Sequence, residues 1–166
     1  MTYLNLIDTQ TRGRYDVTPL FNNYAAFTNL VDDLAQRFAD VEIDRVAGID
    51  ALGFILGAAI AMKMQKGFIP IRKGGKLPAR VERAEFVDYT KEHKALEIRL
   101  NAVTRGMKVL IVDEWIETGA QMKAAIELVE RLGGVVVGVA TINMDENNLT
   151  RALREKYNCQ AIRRGE

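Results

Sequence analysis

VLIVDEWIETGAQ, residues 109–121, opens with four apolar residues, turns acidic at Asp113 and Glu114, and closes in the small-residue turn Thr118-Gly119-Ala120. Apolar on both faces, KVLIVDE (108–114) reads as a central strand of a parallel sheet. Behind it, Met122, Ala125, Ile126, Val129 and Leu132 share one helical face, and the pattern stops at Gly133-Gly134. A strand that passes through a tight turn into a helix leaves the first N–H groups of that helix unpaired and partly positive, which makes a cradle for phosphate. Gly119 and Ala120 let a ligand approach the backbone, and Thr118 offers a hydroxyl. Ionised, Asp113 and Glu114 only accept hydrogen bonds, which suits the hydroxyls of a ribose. Glu117 opposes an anion at the mouth of the same turn. The residues also fit an ordinary strand–turn–helix junction, and their chemistry alone leaves both readings open.

Working outward, Thr18-Pro19 reads as an N-cap with proline at the first helical position, followed by Phe27, Leu30, Val31, Leu34 and Phe38 on one face. DRVAGID (44–50) and GFIPIRK (67–73) read as strands flanking a buried helix over 52–65. RKGGKLPAR (72–80) is a basic loop punctuated by glycine and proline. AEFVDYT (84–90) and KALEIRL (94–100) suggest an antiparallel pair or flap, and VVVGVATI (135–142) another buried strand. A short helix near 147–157 and a strand near Cys159–Arg164 end the chain. Strand–helix–strand repetition of this kind implies an α/β fold with a mostly parallel sheet, whose ligands sit beyond the carboxyl ends of the strands.

Composition narrows the function classes. The 166 residues suit one domain spanning 1–166, and a net charge of +1 provides no global field toward nucleic acid or an acidic membrane. Cys159 is the one cysteine and His93 the one histidine, so an intrachain disulfide, a cysteine zinc site and a histidine-rich metal site are all excluded. The N-terminal MTYLNLIDTQTRGRYD lacks the basic and apolar regions of a signal peptide, and ALGFILGAAIAM (51–62) is too short to span a bilayer. A cytoplasmic protein is expected. No G-x-G-x-x-G follows a strand, which argues against a dinucleotide-binding domain.

Residues 109–121 resemble the phosphoribosyl-diphosphate motif of type I phosphoribosyltransferases: a strand, two acids, two apolar residues and a phosphate loop of the form Ala-Thr-Gly-Gly-Thr. GRYDVTPLF (13–21), VAGIDALGF (46–54), FIPIRKGGKLP (68–78), FVDYT (86–90) and ALEIR (95–99) follow in the order and spacing of the adenine branch. The resemblance covers roughly residues 13–142. It implies a mostly parallel sheet flanked by helices, with a small flap or hood. It also implies transfer of ribose 5-phosphate from phosphoribosyl diphosphate to a purine nitrogen, with release of pyrophosphate and with Mg²⁺ carried by the diphosphate. The expected small molecules are a nucleobase, phosphoribosyl diphosphate and a nucleoside monophosphate, with neither nucleic acid nor membrane as a partner.

Carried over by position, Asp113 and Glu114 would hold the ribose hydroxyls, while Thr118, Gly119, Ala120 and Gln121 would form the 5′-phosphate loop. Arg72, Lys73 and Lys76 would face the diphosphate of a neighbouring subunit, which implies a homodimer. Asp88 stands where the family places a general acid/base, with Tyr89 beside it, and Trp115 stands next to the purine. The chain departs from the pattern at Leu52, where the family supplies an arginine to the diphosphate. Glu114 replaces an aspartate, Glu117 an alanine and Gln121 a threonine. The family's Phe-Arg-Asp near the N-terminus reads Arg14-Tyr15-Asp16. These departures keep a second function in view, a nucleotide or phosphoribosyl-diphosphate sensor without turnover.

Overall fold

The computed structural model describes residues 2–11, 15–88 and 90–164. A 3-10 turn (Thr2–Leu6) leads to α1 (Thr18–Asn22) and α2 (Tyr24–Gln36). Then come β1 (Arg45–Ile49), α3 (Leu52–Lys63), β2 (Gly67–Lys73), β3 (Val81–Val87), β4 (His93–Arg99), β5 (Lys108–Val112) and β6 (Trp115–Ile116). The chain continues through α4 (Ala120–Arg131), β7 (Val135–Met144), α5 (Asn148–Lys156) and β8 (Cys159–Arg164). Among the described residues the strands form one sheet in the order β3-β4-β2-β1-β5-β7-β6, with β8 also on β7. β1 pairs in parallel with β2 and β5, and β5, β6 and β8 pair in parallel with β7. The hairpin β3–β4 is antiparallel and joins the sheet through β2. The expected α/β architecture, with its flap, is the one observed.

Alternation along β5 explains the layering. Val109 and Ile111 enter the core under α4, while Leu110 and Val112 enter the core under α2 and α3, and all four are fully buried. A strand with apolar side chains on both faces has to lie between two helical layers. α4 ends in a Schellman motif: the Gly133 N–H donates to Glu130 O (2.9 Å) and the Gly134 N–H to Val129 O (3.0 Å), with Gly133 at φ 85°.

Three local expectations need correction. Thr18 is not an N-cap, because the cap position is Val17 and Thr18-Pro19 are already helical. The Asp16 carboxylate takes over instead, accepting from the Thr18 N–H (2.8 Å) and hydroxyl (2.6 Å). The helix is also broken at Asn23, whose Oδ1 accepts from the Ala26 N–H (3.0 Å) and caps α2 as a separate helix. Phe38 lies beyond the end of α2, yet it is fully buried against Gly138, where a Cβ would stand 2.4 Å from its ring. Arg14, part of the N-terminal departure, lies outside the described residues.

The third correction concerns the strand after β5. The sequence suggests one strand followed by a turn, but the chain resumes as β6 and pairs with β7 in the register that β5 began. Asp113 and Glu114 are therefore a break inside a nearly continuous strand. Their backbone stays on β7, with the Asp113 N–H donating to Ala140 O (3.2 Å) and the Ile142 N–H to Glu114 O (3.2 Å).

Candidate active site

Parallel pairing brings the carboxyl ends of β1, β2, β5 and β7 to one edge of the sheet. Asp50 follows β1, Arg72 and Lys73 end β2, and Asp113-Glu114 follows β5. At that edge a cleft of about 160 Å³ is lined by Lys73, Asp88, Asp113, Trp115, Thr118, Gly119 and Gln121. Seven of the expected binding and catalytic residues thus meet in one place. Phe86, Lys94, Ile116, Glu117 and Met122 also line it. Phe86 and Lys94 face each other across the β3–β4 hairpin. The alternation within FVDYT and KALEIR was the signal that could have placed both on the cleft side.

Asp113 and Glu114 are 3% and 8% exposed. The Asp113 Oδ1 accepts from the Glu114 N–H (3.0 Å), and its Oδ2 accepts from the Gln121 side-chain amide (2.9 Å). Burial pushes the Asp113 carboxyl well above the usual carboxylate range, and the neighbouring Glu114 adds to this by its charge and by a hydrogen bond. α3 presses on the same group: a Cβ at Gly53 would stand 3.0 Å from the Asp113 Oδ1 and 2.8 Å from Val112 O. Only glycine leaves room for the acid there.

The turn into α4 is open. Gly119 occupies the N-cap at φ 84°, a left-handed conformation natural to glycine, and provides no side-chain cap. Thr118 is exposed, and its hydroxyl accepts from the Ala120 N–H (3.3 Å). The Asn147 side chain donates to Glu117 O (2.8 Å) and fixes the turn from behind.

The remaining candidates, inside the cleft and out, make contacts of their own or stand exposed. The Arg72 guanidinium reaches Asp50 Oδ2 (3.4 Å) and Lys76 O (2.9 Å), folding the basic loop onto its own chain. Lys73 and Lys76 are exposed. Glu97, 5% exposed, pins that loop by accepting from the Gly75 N–H (2.9 Å). Asp88 closes the hairpin turn: its Oδ1 accepts from the Thr90 N–H (2.8 Å), the Thr90 hydroxyl (2.6 Å) and the Glu92 N–H (3.1 Å), and its Oδ2 pairs with Lys94. Lys94 and Thr90 hold the Asp88 carboxyl well below the usual range, so it is ionised at neutral pH. Tyr89 lies outside the described residues. The Trp115 indole donates to Asp145 Oδ1 (3.3 Å) and meets the Tyr15 ring edge-on at 5.5 Å. Leu52, where the family has an arginine, packs against the core under α2 and α3.

Asp113 at the strand break and the open turn into α4 thus share one cleft. Residues 20–163 match the phosphoribosyl transferase domain. The chain belongs to the phosphoribosyl transferase domain family. It is 46% identical over 129 residues to an adenine phosphoribosyltransferase of Neisseria meningitidis, covering 77% of this chain and 68% of that protein. It is 47% identical over 126 residues to one of Dinoroseobacter shibae, covering 75% and 69%. Among solved structures, the adenine phosphoribosyltransferase of Thermoanaerobacter pseudethanolicus superposes with a TM-score of 0.89 at 30% identity, over 98% of each chain. That of Saccharomyces cerevisiae, complexed with an imino-altritol bisphosphate and adenine, gives 0.81 at 29% identity over 97% and 98%. Among the described residues no helix is long and apolar enough to cross a membrane, and no group of three or more His, Cys, Asp or Glu is placed to hold a metal.

Proposed function

We propose that this chain, read as one domain, is an adenine phosphoribosyltransferase. The carrying observation is the meeting of Asp113, Thr118, Gly119 and Lys73 in one cleft at the carboxyl edge of the sheet. A nitrogen of the base bonds to the ribose anomeric carbon as that carbon's bond to the diphosphate oxygen breaks; the base nitrogen gives up its proton to solvent or to the departing pyrophosphate, which takes with it the Mg²⁺ that came as part of the substrate. Charge develops on the ribose ring, so the protein contributes mainly by orienting two ligands and by fixed electrostatics. Asp113 and Glu114 take the ribose hydroxyls, the amide turn 118–121 takes the 5′-phosphate, and Lys73 faces the diphosphate. Trp115, braced by Tyr15 and Asp145, walls the base subsite.

Asp88 fits the anchor of the hairpin turn better than proton transfer, because four donors already hold it. A role for it in moving the base proton requires Lys94 to let go first. Leu52 offers no donor to the diphosphate, and Glu117 brings negative charge to the cleft. The cost of these departures falls on the affinity for the diphosphate rather than on the chemistry. Gln121, which could have suggested a sensor, has a use inside the site instead.

A coupled assay of pyrophosphate release, with phosphoribosyl diphosphate, Mg²⁺ and a panel of bases, tests the reading. Turnover is expected with adenine, with a KM for phosphoribosyl diphosphate that Leu52→Arg lowers. Absence of turnover with every base would overturn it.

The same reading has the protein in the cytoplasm as a homodimer, with the Lys76 end of the loop 72–80 lent to the neighbouring site while Lys73 stays in its own cleft. Light scattering at micromolar protein is expected to give twice the chain mass. A monomer would leave Lys76 as plain surface charge, with Lys73 serving the cleft of its own chain.

A further inference from the structure

We propose that Gln121 is a positioning residue: its side-chain amide ties the first turn of α4 to Asp113 and aims that carboxylate at the ribose hydroxyls, rather than reaching the phosphate itself. The proposal rests on the function argued above and gives Gln121 a different part in the same site.

The geometry leaves Asp113 few options. Its Oδ1 is taken by the Glu114 N–H at 3.0 Å and crowded by Gly53 of α3, while its Oδ2 receives the Gln121 Nε2 at 2.9 Å. The carboxylate is thus held between α3 on one side and α4 on the other. At 3% exposure the carboxylate depends mainly on its protein donors, and leaving a buried acceptor short of a partner is the costly case. Length makes the contact possible. Gln121 sits just after the first residue of α4, and its amide nitrogen lies two bonds beyond where a threonine hydroxyl would be, so the family's threonine cannot span the same gap. The substitution therefore exchanges a short side chain facing the turn for a long one facing the acid.

The charged groups around Asp113 sharpen the argument. Glu114 and Glu117 come from its own segment, Lys73 from β2, and Asp88 and Lys94 from the hairpin; α3 brings none, its close contact being Gly53. Lys94 is paired with Asp88 and Glu92. Burial and Glu114 favour the neutral form of Asp113, and the Gln121 amide favours the ionised form that accepts from hydroxyls.

Three variants decide the matter: Gln121→Ala, Gln121→Glu and Gln121→Thr. Steady-state kinetics across pH are measured for each on the full chain, with thermal melting as a check on folding. In Gln121→Ala the KM for phosphoribosyl diphosphate is expected to rise about tenfold, as for one lost hydrogen bond to a charged group, with the KM for adenine little changed. The acid limb of kcat/KM should move to higher pH by about one unit, because the donor that favours ionised Asp113 is gone. Gln121→Glu should move it further. Gln121→Thr should behave like Gln121→Ala; if it matches or surpasses wild type, the side chain serves the phosphate and the proposal fails. An unmoved acid limb in both Gln121→Ala and Gln121→Glu also overturns it. Calorimetric titration of phosphoribosyl diphosphate at several pH values separates the two readings. A wild type without turnover would sink the assigned activity, while a pH-dependent loss of binding in Gln121→Ala would still support the positioning role.

Discussion

Asp113→Asn is expected to lower kcat/KM for phosphoribosyl diphosphate at least a hundredfold while raising the melting temperature. The two effects have one cause. Asparagine keeps the shape, so Gly53 and α4 still fit around it. It loses the charge, and with it strong acceptance from the ribose hydroxyls. Hydrogen bonds to charged groups contribute about 1.5–3 kcal/mol each, and about 1.4 kcal/mol is a factor of ten, so the loss of two such bonds reaches a hundredfold or more. The stability gain comes from burial. The folded-state pKa of Asp113 is raised by desolvation and by Glu114, so ionising it at neutral pH opposes folding. For a raised pKa the penalty is absent below the unfolded value, near about 3.9, and grows as pH climbs through the folded value. The variant should therefore melt above wild type at pH 7, and the gap should close on acidification toward pH 4. Kinetics with both substrates and melting curves at the two pH values make the check. A loss under fivefold would mean that Glu114 carries the ribose alone, and an equal or lower melting point at pH 7 would mean that Asp113 is not strained in the folded state.

Why this was only partly legible in the sequence follows from the range of each interaction. β2 was readable to the residue from the alternation in GFIPIRK, and β5 was readable as a central strand because Val109–Val112 are apolar on both faces, though it ends at Val112 and not at Glu114. Local patterning also exposed the hairpin and the glycine stop after α4. β6 was not readable: two residues following two acids carry no periodicity, and only pairing with Asn143 and Met144 makes Trp115–Ile116 a strand. Asn23 was hidden inside an apolar pattern that runs through both α1 and α2, since a cap depends on the chain direction as much as on the side chain. At the site, the acids and the turn could be placed from their position at a strand end. Which side chains meet there could not. The bond from Gln121 to Asp113 spans the strand break, the engagement of Arg72 by Asp50 links the ends of two strands, and the capture of Asp88 by Lys94 needs the hairpin closed. Each depends on tertiary geometry that a linear pattern does not contain.

The close approach of α3 to β1 is the other place where a small change should have a large effect. Gly48 is buried in β1, and a Cβ there would stand 2.4 Å from Gly53 O and 2.8 Å from two atoms of the Phe68 ring. Phe68 could tilt, but the Gly53 carbonyl is backbone in the first turn of a twelve-residue helix and yields only if the helix moves. Gly57, one turn on, makes the same close contact, its own Cβ position lying 3.3 Å from Gly48 Cα. Gly48→Ala therefore pushes α3 off the sheet, which as overpacking costs about 1–3 kcal/mol. For a chain of this size that lowers the melting temperature by about 2–4 °C per kcal/mol. Activity should fall further than stability accounts for. Gly53 is the wall against Asp113, so a displaced α3 frees the carboxylate that α4 holds from the other side, and the KM for phosphoribosyl diphosphate rises. Gly106→Ala is the matched control. Its φ of +81° makes alanine costly there, yet nothing lies within 4 Å of the added Cβ, and the loop is remote from the cleft. It should lose about 1–2 kcal/mol of stability with unchanged kinetics. Melting curves and the KM for phosphoribosyl diphosphate on both variants separate steric coupling from general weakening. If Gly48→Ala lowers the melting point but leaves that KM at the wild-type value, α3 does not position Asp113, and the acid is held from the side of α4 alone.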